Sequence, residues 1–292
     1  MTQPSRYRKT CYRSIEAKAP ISNPRPSHHY RLQLSYNGSE FSGWQSQSHG
    51  STVQDTIEAT MQPLLGSLHR LVPASRTDTG VHALQQYASF RTFAPIASPL
   101  AFLQALQATL PNSIRLVHID EVPRNFHPSK DATGKVYCYR LRRSSRETIP
   151  TPGYWPLYRN MSLDILRREL SALVGTHDFT SFCAADTEAV SKTRNMIDIV
   201  TEDTDDGILI WFAANGFLKQ MIRIIVGSAV ECATGKKNAA SLSEILAKGS
   251  RLAAGRCAPA DGLFLVQVAY GDPLKYPQPL HSIDDLFSMQ DH

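Results

Sequence analysis

The stretch ASRTDTGVHALQQYASF, residues 74 to 90, places Arg76, Asp78, Gly80 and His82 within a few residues of one another, just ahead of a strand-like apolar run. A carboxylate two residues from a guanidinium can serve in three ways. It can be a solvated ion pair in a tight turn, with Gly80 supplying a positive φ. Together with His82 it can offer two metal ligands, which is fewer than a zinc site takes. It can also be a nucleophile or base. Such a carboxylate must stay ionised when substrate shuts out water, and a close cation such as Arg76 lowers its pKa and fixes its orientation. An R-x-D turn taken alone does not choose among the three. Two further positions carry chemical potential. Arg223 sits in an otherwise apolar helical run, which is costly unless the charge is paired or snorkels to solvent. Tyr137 and Tyr139 alternate along a strand-like run, where either can be core.

The elements around these residues follow from periodicity. YRLQLSY (30–36) alternates as a strand. TVQDTIEATMQPLLG (52–66) has helical spacing at Val53, Ile57, Met61 and Leu64 or Leu65. VHALQQYASFR reads as a strand, PLAFLQALQATL as a helix and IRLVHIDEV as a strand. The theme then repeats. GKVYCYRLRR is a strand, and SLDILRRELSALVG is a helix capped by Ser162. MIDIVTED and GILIWFAANGF form a hairpin around Asp205, Asp206 and Gly207. FLKQMIRIIVGSAVECATG is a long apolar helix ending at Gly235, LSEILAKG is a helix, and GLFLVQVAY is the last strand. The order β-α-β-β-α-β appears twice. The expected fold is therefore α+β, with two ferredoxin-like halves joined edge to edge into one large, mixed, mainly antiparallel sheet flanked by helices. The expected limits are a flexible basic arm at 1–28, halves at 29–130 and 131–272 with the cleft between them, and a frayed tail at 273–292.

The bulk properties narrow the function class. Residues 1–29 carry Arg6, Arg8, Lys9, Arg13, Lys18 and Arg25 against Glu16, an excess of five. That equals the net charge of +5, so the remainder holds 25 charges of each sign. Any nucleic-acid surface on the body must come from uneven distribution. The arm itself reads as a solvated segment, an RNA-contacting arm or a targeting segment. The five cysteines are scattered with no C-x-x-C, which suits free thiols in the cytoplasm. No apolar run is long enough for a membrane span, and the N-terminus lacks the apolar core of a secretory signal. There is no P-loop, no G-x-G-x-x-G after a strand and no metal cluster.

SRTDTGVHA (75–83) resembles the G-R-T-D-A-G-V-H-A signature of the TruA-type tRNA pseudouridine synthases. Other blocks follow in that family's order. YNGSEFSGWQ (36–45) resembles its opening Y-D-G-x-x-[FY]-x-G-W-Q, and TVQDTIE (52–58) its first helix. FHPSKDATGKVYCYR (126–140) resembles F-H-x-R-x-x-A-x-x-[KR]-x-Y-x-Y. GTHDFTSF (175–182) and KTRNM (192–196) also fit. NGFLKQMIRIIVG (215–227) resembles N-x-F-[LV]-x-x-M-[VI]-R-x-[IL]-V-G, and APADGLFLVQVAY (258–270) the closing A-P-[AP]-x-G-L-x-L. The resemblance spans roughly residues 30 to 270. Ser75 and Thr79 depart from the usual glycine and alanine and add bulk to the turn. Asn37 and Ile224 depart from a common aspartate and asparagine.

The resemblance implies a role for each position. Asp78 is the catalytic aspartate, acting on a uridine in the tRNA anticodon arm, with positions 38 to 40 as targets. Arg76 helps hold the target nucleotide out of its stack. Tyr137 packs on the uracil face, and Arg223 pairs with Asp78 across the cleft. Leu263 and Phe264 wall the uracil pocket. His82 belongs to the motif as a candidate substrate contact, and His127 and Lys135 lie near RNA phosphate. Lys219, Lys236, Lys237, Arg140, Arg142 and Arg143 are candidate backbone contacts. The reaction is an isomerisation and takes no cofactor, and two chains form a homodimer with each tRNA lying across both. A non-catalytic RNA-binding or chaperone module of the same fold is the rival reading, and a nucleoside hydrolase a weaker one.

Overall fold

The computed structural model describes residues 28–48, 50–66, 70–143, 151–157, 160–236 and 239–276. The arm up to residue 27, the tail from 277 and Lys237 lie outside the described residues. In chain order the elements are β1 (His28–Tyr36), α1 (Val53–Leu65), β2 (Val72–Pro73), β3 (His82–Thr92), α2 (Pro99–Gln107) and β4 (Ile114–Glu121). They continue with β5 (Gly134–Arg143), β6 (Trp155–Leu157), α3 (Leu163–Ser171), β7 (Gly175–Asp178), β8 (Thr193–Thr204) and β9 (Gly207–Ala214). The last three are α4 (Met221–Ala233), α5 (Leu242–Lys248) and β10 (Leu263–Ala269).

Helix starts follow local chemistry. The side chains of Thr52, Ser98, Ser162 and Ser241 each accept a backbone N–H of the first turn of α1, α2, α3 and α5. The start of α4 differs from its periodicity, which runs back to Phe217. Gln220 adopts φ 60° and ψ 7°, a left-handed conformation that the helix cannot include, so α4 begins at Met221. The short strands β2, β6 and β7 are invisible to pattern reading. They are two to four residues long, and Gly175–Asp178 (GTHD) carries no apolar alternation.

The ten strands of the described residues form one mixed, mostly antiparallel sheet, with path β4-β1-β3-β10-β5-β9-β8-β7, β2 on β3 and β6 on β5. The parallel neighbours are β10 with β3 and β6 with β5. The strands up to residue 121 are ordered β4-β1-β3-β2, and those from residue 134 on run β10-β5-β9-β8-β7 along the path. The short strand β2 takes only one end of β3, pairing Val72 with Ser89 and Pro73 with Ala88. The other end of β3 is left for β10, which pairs Phe264 with His82 and Leu265 with Ala83. The turn from β2 to β3, which carries Asp78, therefore lies where β3 meets β10.

Alternation along the strands builds two interiors. Tyr137, Tyr139, Leu263 and Leu265 join the main core, to which all five helices contribute. Val136, Cys138, Trp211 and Phe264 form a second cluster on the opposite face, covered by Leu274 and Tyr276.

Candidate active site

The turn at residues 74–78 is held almost residue by residue. Ala74 donates its N–H to the Tyr87 carbonyl and accepts Lys135 Nζ at 2.7 Å. The Gln86 side-chain amide holds Ser75 at both ends, accepting its N–H at 3.2 Å and donating to its carbonyl at 2.6 Å. Ser75 Oγ lies 2.8 Å from the Tyr137 hydroxyl. Thr77 Oγ1 meets the Tyr36 hydroxyl at 2.8 Å, and its carbonyl accepts Trp44 N–H. Two glycines are required by geometry. Gly80 has φ 78°, which lets the chain turn into β3. Gly43 has φ 85°, and a Cβ there would stand 2.8 Å from the Thr77 carbonyl. The residue of this turn most open to solvent-borne ligands is Arg76, 65% exposed.

Asp78 faces a cleft of about 910 Å³ whose walls include Arg223, Tyr137, Leu263, Lys135 and Arg76. Arg223 Nη1 donates to Asp78 Oδ2 at 2.7 Å, with side-chain exposures of 15% and 21%. Arg223 Nε also donates to the Ala258 carbonyl, and Ala258 N–H returns a bond to the Arg223 carbonyl. This hook fixes the guanidinium on the segment leading into β10. The cation at Asp78 is thus Arg223; Arg76 is turned away, its Nη1 3.6 Å from Glu188 across the cleft mouth. An exposed pair of that length contributes little. Tyr137 packs edge-on to Phe217, ring centroids 5.1 Å apart. Burial pushes its phenol above the usual range, against the pull of the Ser75 hydrogen bond.

Other sequence assignments land elsewhere. Phe264 does not line the cleft. It pairs with Cys138 on the opposite face of the sheet and stacks on His82, centroids 4.5 Å apart. His82 is buried as well: its Nδ1 accepts the Gly38 N–H and its Nε2 donates to the Asp261 carbonyl. That ties the opening loop to the approach of β10, out of reach of a bound base. Arg140 is 2% exposed, its guanidinium 3.6 Å from the Tyr154 ring centroid, so it cannot meet RNA phosphate. Lys135 lies in the cleft wall with its ammonium committed to Ala74, and burial, with Arg194 adding to it, lowers its pKa to about 8. His127 lies at the cleft rim with Nδ1 facing the N–H groups of Ser129 and Lys130. Lys219 pairs with Asp186 at 2.6 Å, Lys236 with Glu231 and Arg143 with Asp203; Arg142 donates to Thr151. Thr79 is an exposed residue lining the cleft, whereas Ser75 reaches Tyr137.

Pattern reading missed Gln86, Tyr36 and Glu188. Gln86 was detectable, because it occupies an inward position of β3 between apolar partners and a buried amide there must have polar work. Among the described residues no three His, Cys, Asp or Glu side chains converge as metal ligands, and no helix is long and apolar enough to cross a membrane. A carboxylate held by a fixed cation, beside a buried aromatic ring and an apolar wall, can attack or deprotonate a nucleoside that enters the cleft.

Known proteins are similar to this chain in sequence. The family profile described as tRNA pseudouridine synthase matches residues 170–271. The tRNA pseudouridine synthase A of Geotalea uraniireducens (strain Rf4) is 36% identical over 241 residues, covering 82% of this chain and 98% of that protein. That of Shouchella clausii (strain KSM-K16) is 38% identical over 245 residues, covering 83% and 93%. A chain from the solved structure of a Cbf5-Nop10-Gar1 complex aligns with a TM-score of 0.35 at 11% identity, over 81% of this chain and 48% of that one. With identity above a third across nearly the whole length of those relatives, the chain belongs to the TruA-type tRNA pseudouridine synthase A family.

Proposed function

We propose that the chain isomerises uridine to pseudouridine in the anticodon arm of tRNA, at positions 38 to 40, with Asp78 as the catalytic carboxylate. The observation that carries this reading is the 2.7 Å Arg223–Asp78 pair in a cleft that also holds Tyr137. The C1′–N1 bond breaks, the uracil turns, C1′ bonds to C5, the C5 proton leaves and N1 gains one. Attack of Asp78 on C1′ and removal of a ribose proton by Asp78 both use this carboxylate. Tyr137 and Leu263 flank the base, and Arg223 keeps the carboxylate aimed. Arg76, open at the cleft mouth, fills the gap left by the extruded nucleotide, offsetting the few kcal/mol of unstacking.

The finer architecture supports the same reading. Each half, 29–130 and 131–272, is ferredoxin-like, and the cleft lies on their seam. We read the enzyme as a cytoplasmic homodimer in which a tRNA lies across both copies, the balanced charge of the body leaving the basic surface to be shared. Incubating the purified chain with a tRNA and analysing its nucleosides tests the function. Pseudouridine at positions 38 to 40 supports it. Bound but unchanged RNA would make the chain a binding module, and released uracil a hydrolase.

A further inference from the structure

Strand β5 touches the Asp78 turn at two consecutive residues. Lys135 Nζ donates to the Ala74 carbonyl at 2.7 Å, and two residues along β5 the Tyr137 hydroxyl meets Ser75 Oγ at 2.8 Å. Residues two apart on a strand share a face, so both bonds leave the cleft side of β5. The turn belongs to the first half and β5 to the second, so both bonds cross the seam. Lys135 is 6% exposed, and its hydrogen bond goes to a main-chain carbonyl; among the described residues no carboxylate forms an ion pair with it. Burying an ammonium that way is expensive, and an apolar side chain would fill the site at lower cost. A residue that costs stability in the wall of a reaction cleft calls for a functional return. Ser75 adds a second sign, since a glycine, usual at this place in the resembling sequences, has no hydroxyl to reach Tyr137.

We propose that Lys135 and Ser75 are positioning residues that stitch the Asp78 turn to β5 and so fix the carboxylate relative to the Tyr137 ring. The proposal rests on the reading that Asp78 acts on the ribose while Tyr137 packs on the base. With both stitches made, carboxylate and ring meet the target uridine in a single geometry. With either cut, the turn samples others and the fraction of productive encounters falls. Lys135 accordingly acts on the turn and not on RNA phosphate.

The test compares Lys135→Met, Ser75→Ala, Tyr137→Phe and the Ser75→Ala/Tyr137→Phe double variant, measuring kcat and KM for tRNA across a salt series. Displacing reacting groups by about an ångström costs up to about a hundredfold, so Lys135→Met is expected to lose about tenfold or more in kcat. Its KM and salt dependence are expected to stay at wild-type values. Ser75→Ala and Tyr137→Phe each lower kcat, and the double variant is no slower than the slower single one, because both remove the same bond. Independent, multiplying effects of Ser75→Ala and Tyr137→Phe would overturn the stitch, as would wild-type rates for both. Lys135→Met with unchanged kcat, raised KM and a shallower salt slope would make Lys135 a phosphate contact. The serine–tyrosine arm stands even where Lys135→Met does not fold. A Tyr137→Leu control separates the two levels. Full activity in Tyr137→Leu sinks the underlying placement of the base, whereas a slow Tyr137→Leu beside fully active Ser75→Ala and Tyr137→Phe sinks the stitch alone.

Discussion

Strands β5 and β10 are neighbours, and each presents alternate side chains to two unlike interiors. Toward the cleft stand Lys135, Tyr137 and Leu263. Toward the other side stand Cys138, Arg140 and Phe264, closed under the Tyr154 ring and beside Trp211. The two sets come from the same short runs, KVYCYR and GLF, and sequence similarity marks both equally. What separates them is the strand period of two. Partners across a ladder share a face: Leu263 pairs with Tyr139, and Phe264 with Cys138. A motif therefore reports that a strand matters, and its parity reports which half of the strand meets substrate.

Substitutions on the two faces should separate rate from stability. The largest effect is expected on the cleft side. Arg223→Ala leaves Asp78 without its fixed cation and should lower kcat by about a hundredfold, read from initial rates at saturating tRNA. Tyr137→Leu removes the ring offered to the base and should cost about tenfold, the equivalent of an aromatic contact of about 1.4 kcal/mol. Across the sheet, Phe264→Leu should cost about 1 kcal/mol in denaturant unfolding, with kcat near wild type. A catalytic loss there without a stability loss would break the division into faces.

Lys135 gives a smaller, pH-dependent signal. Its folded pKa, near 8, lies below the ordinary 10.5, so between those values the unfolded chain binds more protons. Stability must therefore rise with pH across that window, the penalty for the buried charge being present below it. The charge that acts on Lys135 from the sheet is Arg194 on β8, two strands away from β5, which acts in the same direction; the cleft side adds Asp78 and Arg223. The difference in unfolding free energy between wild type and Lys135→Met, followed from pH 7 to 10.5, should move in favour of wild type. A flat difference would mean that the ammonium is not buried in solution. The smallest effect is expected at the cleft mouth. Arg76→Ala should reduce the slope of log affinity against log salt by about one, provided the guanidinium meets phosphate as well as filling the stack.

Much of this was legible in the chain. The helices from Val53, Pro99, Leu163 and Leu242 announce themselves through apolar spacing and serine or threonine caps, and the β8–β9 hairpin through Asp205, Asp206 and Gly207. A lone arginine in an apolar helix needs a partner or a path to solvent, and that the partner of Arg223 is Asp78 was implied by the family resemblance alone. Other features were hidden for physical reasons. β2, β6 and β7 are too short to carry a period. Arg76 and Arg223 are the same residue type, and only the tertiary fold decides which one reaches Asp78. Arg140 looked like an RNA contact because its aromatic cover, Tyr154, arrives from a separate segment. Gln86 and Lys135 act on main-chain atoms of a turn distant in sequence, and no local pattern encodes that.

The most direct test replaces the carboxylate and leaves its surroundings intact. Asparagine at position 78 keeps the shape and can still accept from Arg223, but it is neither a nucleophile nor a base. Purified Asp78→Asn, with tRNA binding measured on the same preparation, should bind tRNA with near wild-type affinity and form no detectable pseudouridine over the time in which wild type converts its substrate completely. Pseudouridine formation by Asp78→Asn at the wild-type rate would contradict the assignment of the cleft as the catalytic centre.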